Sequence, residues 1–549
     1  MPPTPTPAPD LRDRHASHWP PGLPHGLEPS AAHLFHHLEA TAARFPDKPF
    51  VIHGESVLSY ARFKAGVEHI AGFLQQVCGV RAGDRVALCM PNCPPWMLAF
   101  HGIVRADAVV VPLNPMHLAD DLAHGLRDSG ATVAIVSRDL HARLPAGLRH
   151  VVVAGVDNQD PPPARPDPRP DDAPGTTEWQ AMLAMRLRPG PVTGGPDELC
   201  VLPYTSGTTG RPRGCRHTHR SVTSSLVGSA SWFGITHDAV ALAALPLFHV
   251  AGMAGGMNAP LHAGATVVLL SRWDAAVAAR SIRRHRVTHV QAISTMVIDL
   301  LAHPGIGEAD LSSLVQVRGG GAAMPQTVST RLRQLTGLDY LEGYGLTETM
   351  AATHANPPHR PKAQCLGLPV FDIDARIVDP VSLREMPPGE VGEIVLRGPQ
   401  VMSGYWNNPL ADREAFVTLD GQRFLRTGDL ARVDGDGYFF MVDRLKRIIN
   451  TAGFKVAPSE VETLLHGHPA VHEACVIGSP DRRLGERVKA LVVRRPGTSV
   501  TATDLLGWAR GRLAAYKVPR ELVFLDALPK SASGKVQWRR LQDVETGAG

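Results

Sequence analysis

Twice along this chain, short apolar runs alternate with amphipathic segments of helical period, and that alternation constrains the fold more than any other feature. The first series reads "DRVALCMP", "PPWMLAFHGIVRA", "DAVVVPLN", "LADDLAHGLRDSG" and "ATVAIVS", between residues 84 and 137. The second reads "GATVVLL", "DAAVAARSIRRH", "VTHVQAI", a helix at 294–302, "LVQVR", "PQTVSTRLRQLTG" and "LDYLEGYG". Strand runs this apolar need cover on both faces, and crossover helices supply it around a parallel sheet. Two series predict two α/β subdomains.

Between the series, "DPPPARPDPRPDDAPG" (160–175) reads as an exposed linker. Further on, "DIDARIVD", "GEIVLRG" and "GYFFMVD" are short strands with Gly/Pro turns, which predict a β-rich subdomain. Beyond residue 446 the helix "SEVETLLHGHP", the strands "VHEACVIGS" and "RVKALVVRR" and the helix "TATDLLGWARGRLAAY" suggest a separate α+β domain. The expected class is therefore α/β. A disordered Pro-rich tail (1–29) precedes a large N-terminal domain (30–445) of two α/β subdomains plus the β-rich one. A small mobile C-terminal α+β domain (446–549) follows.

Composition removes several classes of function. A net charge of +4, spread over 549 residues, argues against a nucleic-acid partner. The seven cysteines form no CxxC pair, which points to a reducing compartment and away from zinc or a redox dithiol. The N-terminal stretch lacks the apolar centre of a secretory signal, so a cytoplasmic protein is expected. Residues 247–270 look apolar, but His249, Asn258, Pro260 and His262 interrupt them; a buried helix and strand are expected there, with no transmembrane segment. "HTH" (217–219) lacks the spacing of a helical zinc pair and reads as structural.

Chemistry concentrates in a few polar stretches. "YTSGTTGRPRG" (204–214) interleaves glycines with hydroxyls and arginines, a composition suited to a phosphate cradle, although Pro212 rules out an ordinary P-loop. "GYGLTE" (343–348) sets an aromatic beside flexible backbone, then a carboxylate suited to Mg²⁺. "TGDLARVDGDGYFFMVDRLKR" places Asp429 in an expected turn, and "PKSASGKVQWRRL" places Lys535 in a Gly/Ser-rich loop.

Together and in this order, "YTSGTTGRPRG", "GYGLTET", "TGDLARVDGDGYF", "DRLKRIINTAGFKVAPSEVE" and "PKSASGK" resemble the signature motifs of the adenylate-forming acyl-CoA synthetases. The resemblance spans about residues 30–541 and is nearest to bacterial medium- and long-chain fatty acyl-CoA synthetases. It implies ATP, Mg²⁺ and coenzyme A, and a two-step reaction through acyl-AMP. Thr205, Ser206, Gly207, Thr208, Thr209, Gly210 and Arg213 would close over phosphates. Gly321, Ala322, Gly343 and Tyr344 would hold the adenine, Gly345 would line the same nucleotide site, and Thr347 would touch the α-phosphate. Glu348 would bind Mg²⁺ with Thr205, and Asp429 with Arg444 would bind the ribose. Lys535 would serve adenylation, Gly453 and Lys455 the thioester step, and Lys446 the hinge between them. Two positions depart from the pattern: Arg213 stands for the usual lysine, and Arg447 for the usual acid.

The segment "PLFHVAGMAGGMNAP" (246–260) bears on the acid. It carries His249, and no acidic residue occurs from 239 to 273, which disfavours an amino acid as substrate. Val250, Gly252, Met253, Gly256 and Met257 suggest an apolar acyl pocket, with His249 as its gate by resemblance. The expectation is a fatty acid–CoA ligase. An acyl-AMP ligase that loads a carrier protein and an aryl or dicarboxylic acid–CoA ligase are alternatives, as is a nucleotide-binding protein without turnover. Arg318 could meet a second carboxylate. The partners expected are small molecules, with a homodimer possible.

Overall fold

The computed structural model describes residues 15–24, 26–27, 33–155, 175–205, 212–307, 310–530 and 536–547. The chain divides into two compact units, one of residues 1–205, 212–374 and 397–414, the other of 206–211, 375–396 and 415–549. The linker expected at 160–175 lies, apart from Gly175, outside the described residues.

The larger unit contains two mainly parallel sheets. The first has the strand order Thr176–Glu178, His150–Ala154, Val133–Ser137, Arg85–Cys89, Val109–Pro112, Leu199–Val201, His217–Thr218. Only its last pair is antiparallel. The second runs Leu368–Pro369, Ala351–Ala355, Tyr340–Leu346, Gln316–Gly320, His289–Gln291, Val240–Ala243, Thr266–Leu269, Pro49–His53, Ser56–Ser59. Its six central strands are parallel and its edges antiparallel. Both expected series are present, one in each sheet.

Side chains alternate between faces with the two-residue period of a strand. Val86, Leu88, Val110, Val133 and Ile135 enter one apolar cluster, and Ala87, Cys89, Val109 and Val111 another. In the second sheet Ala243, Val267 and Leu269 join that first cluster, while Leu242, Val268, Val290 and Val317 pack into a third. One core thus links the two sheets. Helix ends follow local chemistry: Asp274 caps Ala275–His285 by accepting from the Val277 amide at 2.8 Å.

Within 247–270 the chain forms a π-helix (Gly252–Asn258), a short α-helix (Ala259–Ala263) and the strand Thr266–Leu269. No described helix is long and apolar enough to cross a membrane. In the stretch read as a tail, Trp19 packs edge-on against Trp232 and Phe371, with ring centroids 5.3 and 5.1 Å away. All seven cysteines are buried free thiols.

Two five-stranded sheets build the smaller unit. One joins Asp374–Val378, Gly392–Arg397, Gln422–Val433 and Phe416–Leu419, with Phe439–Arg444 also paired to the long strand. The other joins Phe454–Val456, Ile449–Thr451, Gly485–Arg494 and Val471–Asp481, with Glu521–Phe524 beside Gly485–Arg494. The helix expected through 501–516 stops at Arg510, where Gly511 caps it.

The larger unit buries several histidines in neutral form. Burial lowers His33 and His37 to about 4 and His101 to about 3, from an ordinary 6.5. Below 6.5 the unfolded chain takes up protons that the folded chain refuses, so folding stability is complete above that value and is lost as pH falls. Denaturant unfolding should give a flat midpoint above pH 7 and a steep decline from about pH 6.5 toward 4. His101→Phe should flatten that decline; an unchanged slope would show that this ring does not contribute.

Candidate active site

The glycine- and hydroxyl-rich stretch connects the strands Leu199–Val201 and His217–Thr218. Its two arms are tied together. Tyr204 and Gly214 form an antiparallel bridge. The Thr205 amide donates to the Arg213 carbonyl at 2.9 Å, and the Arg213 amide donates to Thr205 Oγ1 at 3.2 Å. Ser206, Gly207, Thr208, Thr209, Gly210 and Arg211 lie outside the described residues, as does Lys535.

From these arms a line of contacts leads to Glu348. The Arg213 guanidinium lies 5.5 Å from the Tyr405 ring centroid, and the Tyr405 hydroxyl donates to Glu348 Oε1 at 2.8 Å. Burial pushes the Tyr405 hydroxyl far above its ordinary range, so it stays protonated and donates. No local motif marks Tyr405, which lies 57 residues from Glu348.

Glu348 occupies the 3₁₀ turn Thr347–Thr349. Its carbonyl accepts from the Met402 amide at 2.8 Å. The Leu346 amide donates to Thr349 Oγ1 at 2.8 Å, and the Ser225 hydroxyl donates to the Met350 carbonyl at 2.7 Å. His217 is fully buried and lowered by desolvation to about 4, so its neutral ring donates from Nε2 to the Thr347 carbonyl at 2.7 Å. The first histidine of "HTH" therefore holds backbone, and the second, His219, accepts from the Leu34 amide through Nδ1 at 3.2 Å.

The glycines of "GGGAAMP" and "GYGLTE" stand at the carboxyl ends of adjacent parallel strands, where α/β sheets bind ligands. Gly320 and Gly343 are in register. A β-carbon on Gly320 would meet the Gly343 carbonyl oxygen at 2.2 Å, and one on Gly345 would meet the Ala351 oxygen at 1.8 Å. Only glycine permits that approach. Gly321 has φ 90° and leads into the exposed Ala322, while the Tyr344 ring stands edge-on to His354 at 5.6 Å.

His249 precedes the π-helix, where its Nδ1 accepts from the Ala251 amide at 3.3 Å and its carbonyl from the Met253 amide at 2.9 Å. Val250, Gly252, Met253, Gly256 and Met257 are all buried. Gly252 and Gly255 are tight: added β-carbons would meet the Pro246 oxygen at 2.2 Å and Gln291 Oε1 at 2.1 Å. A π-helix inserts an extra residue per turn and recurs at functional sites.

The smaller unit corrects one expectation. Asp429 is not in a turn; it lies within the strand Gln422–Val433, in register with Arg444. Gly428, at φ 69°, makes the "TGD" triplet look like a turn, but here it forms a bulge, with Glu393 opposite Leu430 and Val395 opposite Arg426. Arg444 Nε lies 3.0 Å from Asp429 Oδ1. Lys446 follows in the 3₁₀ turn Leu445–Arg447. Arg447 turns inward, to 2.5 Å from Glu462 Oε1 and 3.7 Å from Asp443 Oδ1. Ala452 (φ 50°) and Gly453 (φ 84°) form a two-residue hairpin loop that sets Lys455 opposite Asn450.

Glu348 fits Mg²⁺. Its Oε1 is held by Tyr405 while its Oε2 makes no hydrogen bond among the described residues, and Mg²⁺ takes one or two hard carboxylate oxygens beside substrate phosphates.

The AMP-binding enzyme family matches residues 38–406, and the AMP-binding enzyme C-terminal domain matches residues 460–535. A feruloyl-CoA synthase of Amycolatopsis sp is 39% identical over 495 residues, 89% of this chain and 94% of its own length. A long-chain-fatty-acid–CoA ligase of Bacillus subtilis (strain 168) is 34% identical over 553 residues, 96% of this chain and 97% of its own. Among solved structures, ATP-bound MatB of Rhodopseudomonas palustris superposes with a TM-score of 0.84 at 27% identity, covering 94% of this chain and 99% of that one. The chain belongs to the AMP-binding enzyme family, as an acyl-CoA synthetase of the adenylate-forming superfamily that uses ATP, Mg²⁺ and coenzyme A.

Proposed function

We propose that this synthetase activates an acid with an extended apolar body, of which a medium- or long-chain fatty acid is the simplest case. The observation that carries the reading is the burial of the apolar side chains of Val250, Met253 and Met257 beside the glycines of the π-helix. No acidic residue from 239 to 273 offers a partner for an amino acid's ammonium. Each methylene buried there contributes about 0.8 kcal/mol. One observation favours a second reading, an aromatic or dicarboxylic acid: the buried cation Arg318, on the strand Gln316–Gly320. The seven unpaired thiols support a reducing, cytoplasmic setting.

In the first step a carboxylate attacks the α-phosphate of ATP, an anion approaching an anion. Carbon–oxygen–phosphorus linkage forms, pyrophosphate leaves, and acyl-AMP remains. Arg213 and Lys535 offset the charge, the backbone at Gly321, Ala322, Gly343 and Tyr344 receives the adenine, and Gly345 lines the same nucleotide site. Thr347 orients the α-phosphate and Asp429, with Arg444, the ribose. Mg²⁺, when bound through Glu348 with Thr205, supplies further positive charge at the phosphates. Tyr405 fixes Glu348 by occupying one carboxylate oxygen. His249 gates the acid. In the second step the coenzyme A thiolate attacks the acyl carbonyl, thioester forms and AMP leaves, with Gly453 and Lys455 beside the pantetheine arm. Lys446 is the pivot between the 30–445 and 446–549 domains in this scheme.

Lys535→Ala should abolish pyrophosphate release while preformed acyl-AMP still becomes thioester; loss of both half-reactions together would sink the division of labour. Tyr405→Phe removes a hydrogen bond to a charged group, worth about 1.5–3 kcal/mol. It should lower kcat/KM for Mg-ATP by roughly 10- to 100-fold, with partial recovery at raised Mg²⁺. Kinetics equal to the parent chain would remove Tyr405 from the positioning role. Thioester yield with coenzyme A against a pantetheinylated carrier protein separates the ligase from a carrier-loading enzyme.

A further inference from the structure

The second sheet keeps one face apolar and breaks that rule on the other at two adjacent strands. In register across it run Leu269, Ala243, Gln291, Arg318 and Leu341. Leu269 and Ala243 belong to the core cluster that also contains Met253 and Met257 of the π-helix, so this row faces that helix. Gln291 touches it directly: Nε2 donates to the Ala251 carbonyl at 3.3 Å, and Oε1 lies where a β-carbon on Gly255 would fall. Gln291 Oε1 itself is buried without a partner.

Arg318 is the next residue in that row. It is 5% exposed and makes no ion pair or hydrogen bond through its side chain among the described residues, and its Nη1 is a buried donor without a partner. One face of the guanidinium is covered by the Phe233 ring, 4.1 Å from the centroid. Among the described residues no carboxylate acts on it. His289, on the preceding row, is lowered by desolvation to about 4 and is neutral. Burial pulls Arg318 from 12.5 to about 9, which leaves it charged at neutral pH. A desolvated cation without a counter-charge costs several kcal/mol, and a chain would gain by replacing it with leucine unless something binds it.

We infer that Arg318 reads an oxygen group at the far end of the substrate acid, so that acids ending in a carboxylate or a phenolic hydroxyl are preferred to those ending in methyl or unsubstituted ring. The guanidinium offers planar paired donors to such oxygens, Phe233 fixes its plane, and Gln291 lies beside it in the row. The inference departs from the fatty-acid case and rests on the second reading above, an aromatic or dicarboxylic acid whose body lies against the π-helix: apolar in the middle, oxygen-bearing at the end.

The test uses the whole chain and paired acids: α,ω-diacids of increasing length against the matching methyl-terminated acids, and para-hydroxycinnamate against cinnamate. Two quantities are read, kcat/KM from pyrophosphate release and affinity by titration calorimetry with a non-hydrolysable ATP analogue. Expected is a preference of roughly 10- to 100-fold for the oxygen-bearing member of one pair type. Which pair shows it tells carboxylate from phenol. Arg318→Leu should collapse that ratio to about one or invert it, and Arg318→Lys should restore part of it for a carboxylate. Ratios near one for every pair in the parent chain would overturn the inference, whether or not the leucine variant folds. An unchanged ratio in a folded Arg318→Leu would do the same. Absence of pyrophosphate release with all acids would refute the ligase reading instead, while calorimetry would still decide the distal contact.

Discussion

Apart from the polar patch at Gln291 and Arg318, both faces of the two mainly parallel sheets are occupied by apolar side chains, and that burial dictates where polar chemistry can go. Val86 and Ala87, or Val267 and Val268, sit one residue apart and belong to different clusters. A sheet covered in this way leaves mainly its strand ends and loops for charged groups, Arg318 being an exception within a strand. Gly320, Gly343 and Gly345 stand at those ends, and the stretch after Leu199–Val201 leaves from one. The backbone approach that these glycines allow is a result of the sheet's register rather than of the loops themselves.

The residues around Glu348 show how a carboxylate is fixed without being neutralised. Tyr405 supplies a neutral donor, Met402 ties the backbone, and His217, also neutral, anchors the adjoining carbonyl. The nearest cation in the line of contacts, Arg213, lies over the Tyr405 ring instead of pairing with Glu348. A direct ion pair there would compete with any cation that the carboxylate is to bind.

Much of this was legible in the sequence, because a two-residue apolar period and a helical period leave distinct traces. The helices Pro94–Arg105 and Ser294–Ala302 and the strand Tyr340–Leu346 fall within two residues of where those periods place them. What the periods do not encode is pairing at a distance. Pro49–His53 joins the second sheet beside Thr266–Leu269, although more than two hundred residues and the whole first series separate them. Tyr405 and His217 matter through partners that are remote in the chain, and nothing local marks them. Asp429 misled for a physical reason: a glycine with positive φ serves a bulge as readily as a turn. The π-helix was hidden because its glycines and methionines suit an α-helix equally well by composition.

The seven buried thiols have a consequence for how the molecule can be observed. Desolvation pushes Cys78, Cys89 and Cys475 up to about 12, so in the folded chain they are poor nucleophiles as well as inaccessible ones. Their positions sample both units. A maleimide present in excess would consequently modify each sulfur only during transient opening around it. Site-resolved alkylation would then serve as a set of intrinsic clocks, timing the local breathing of each unit with no label introduced.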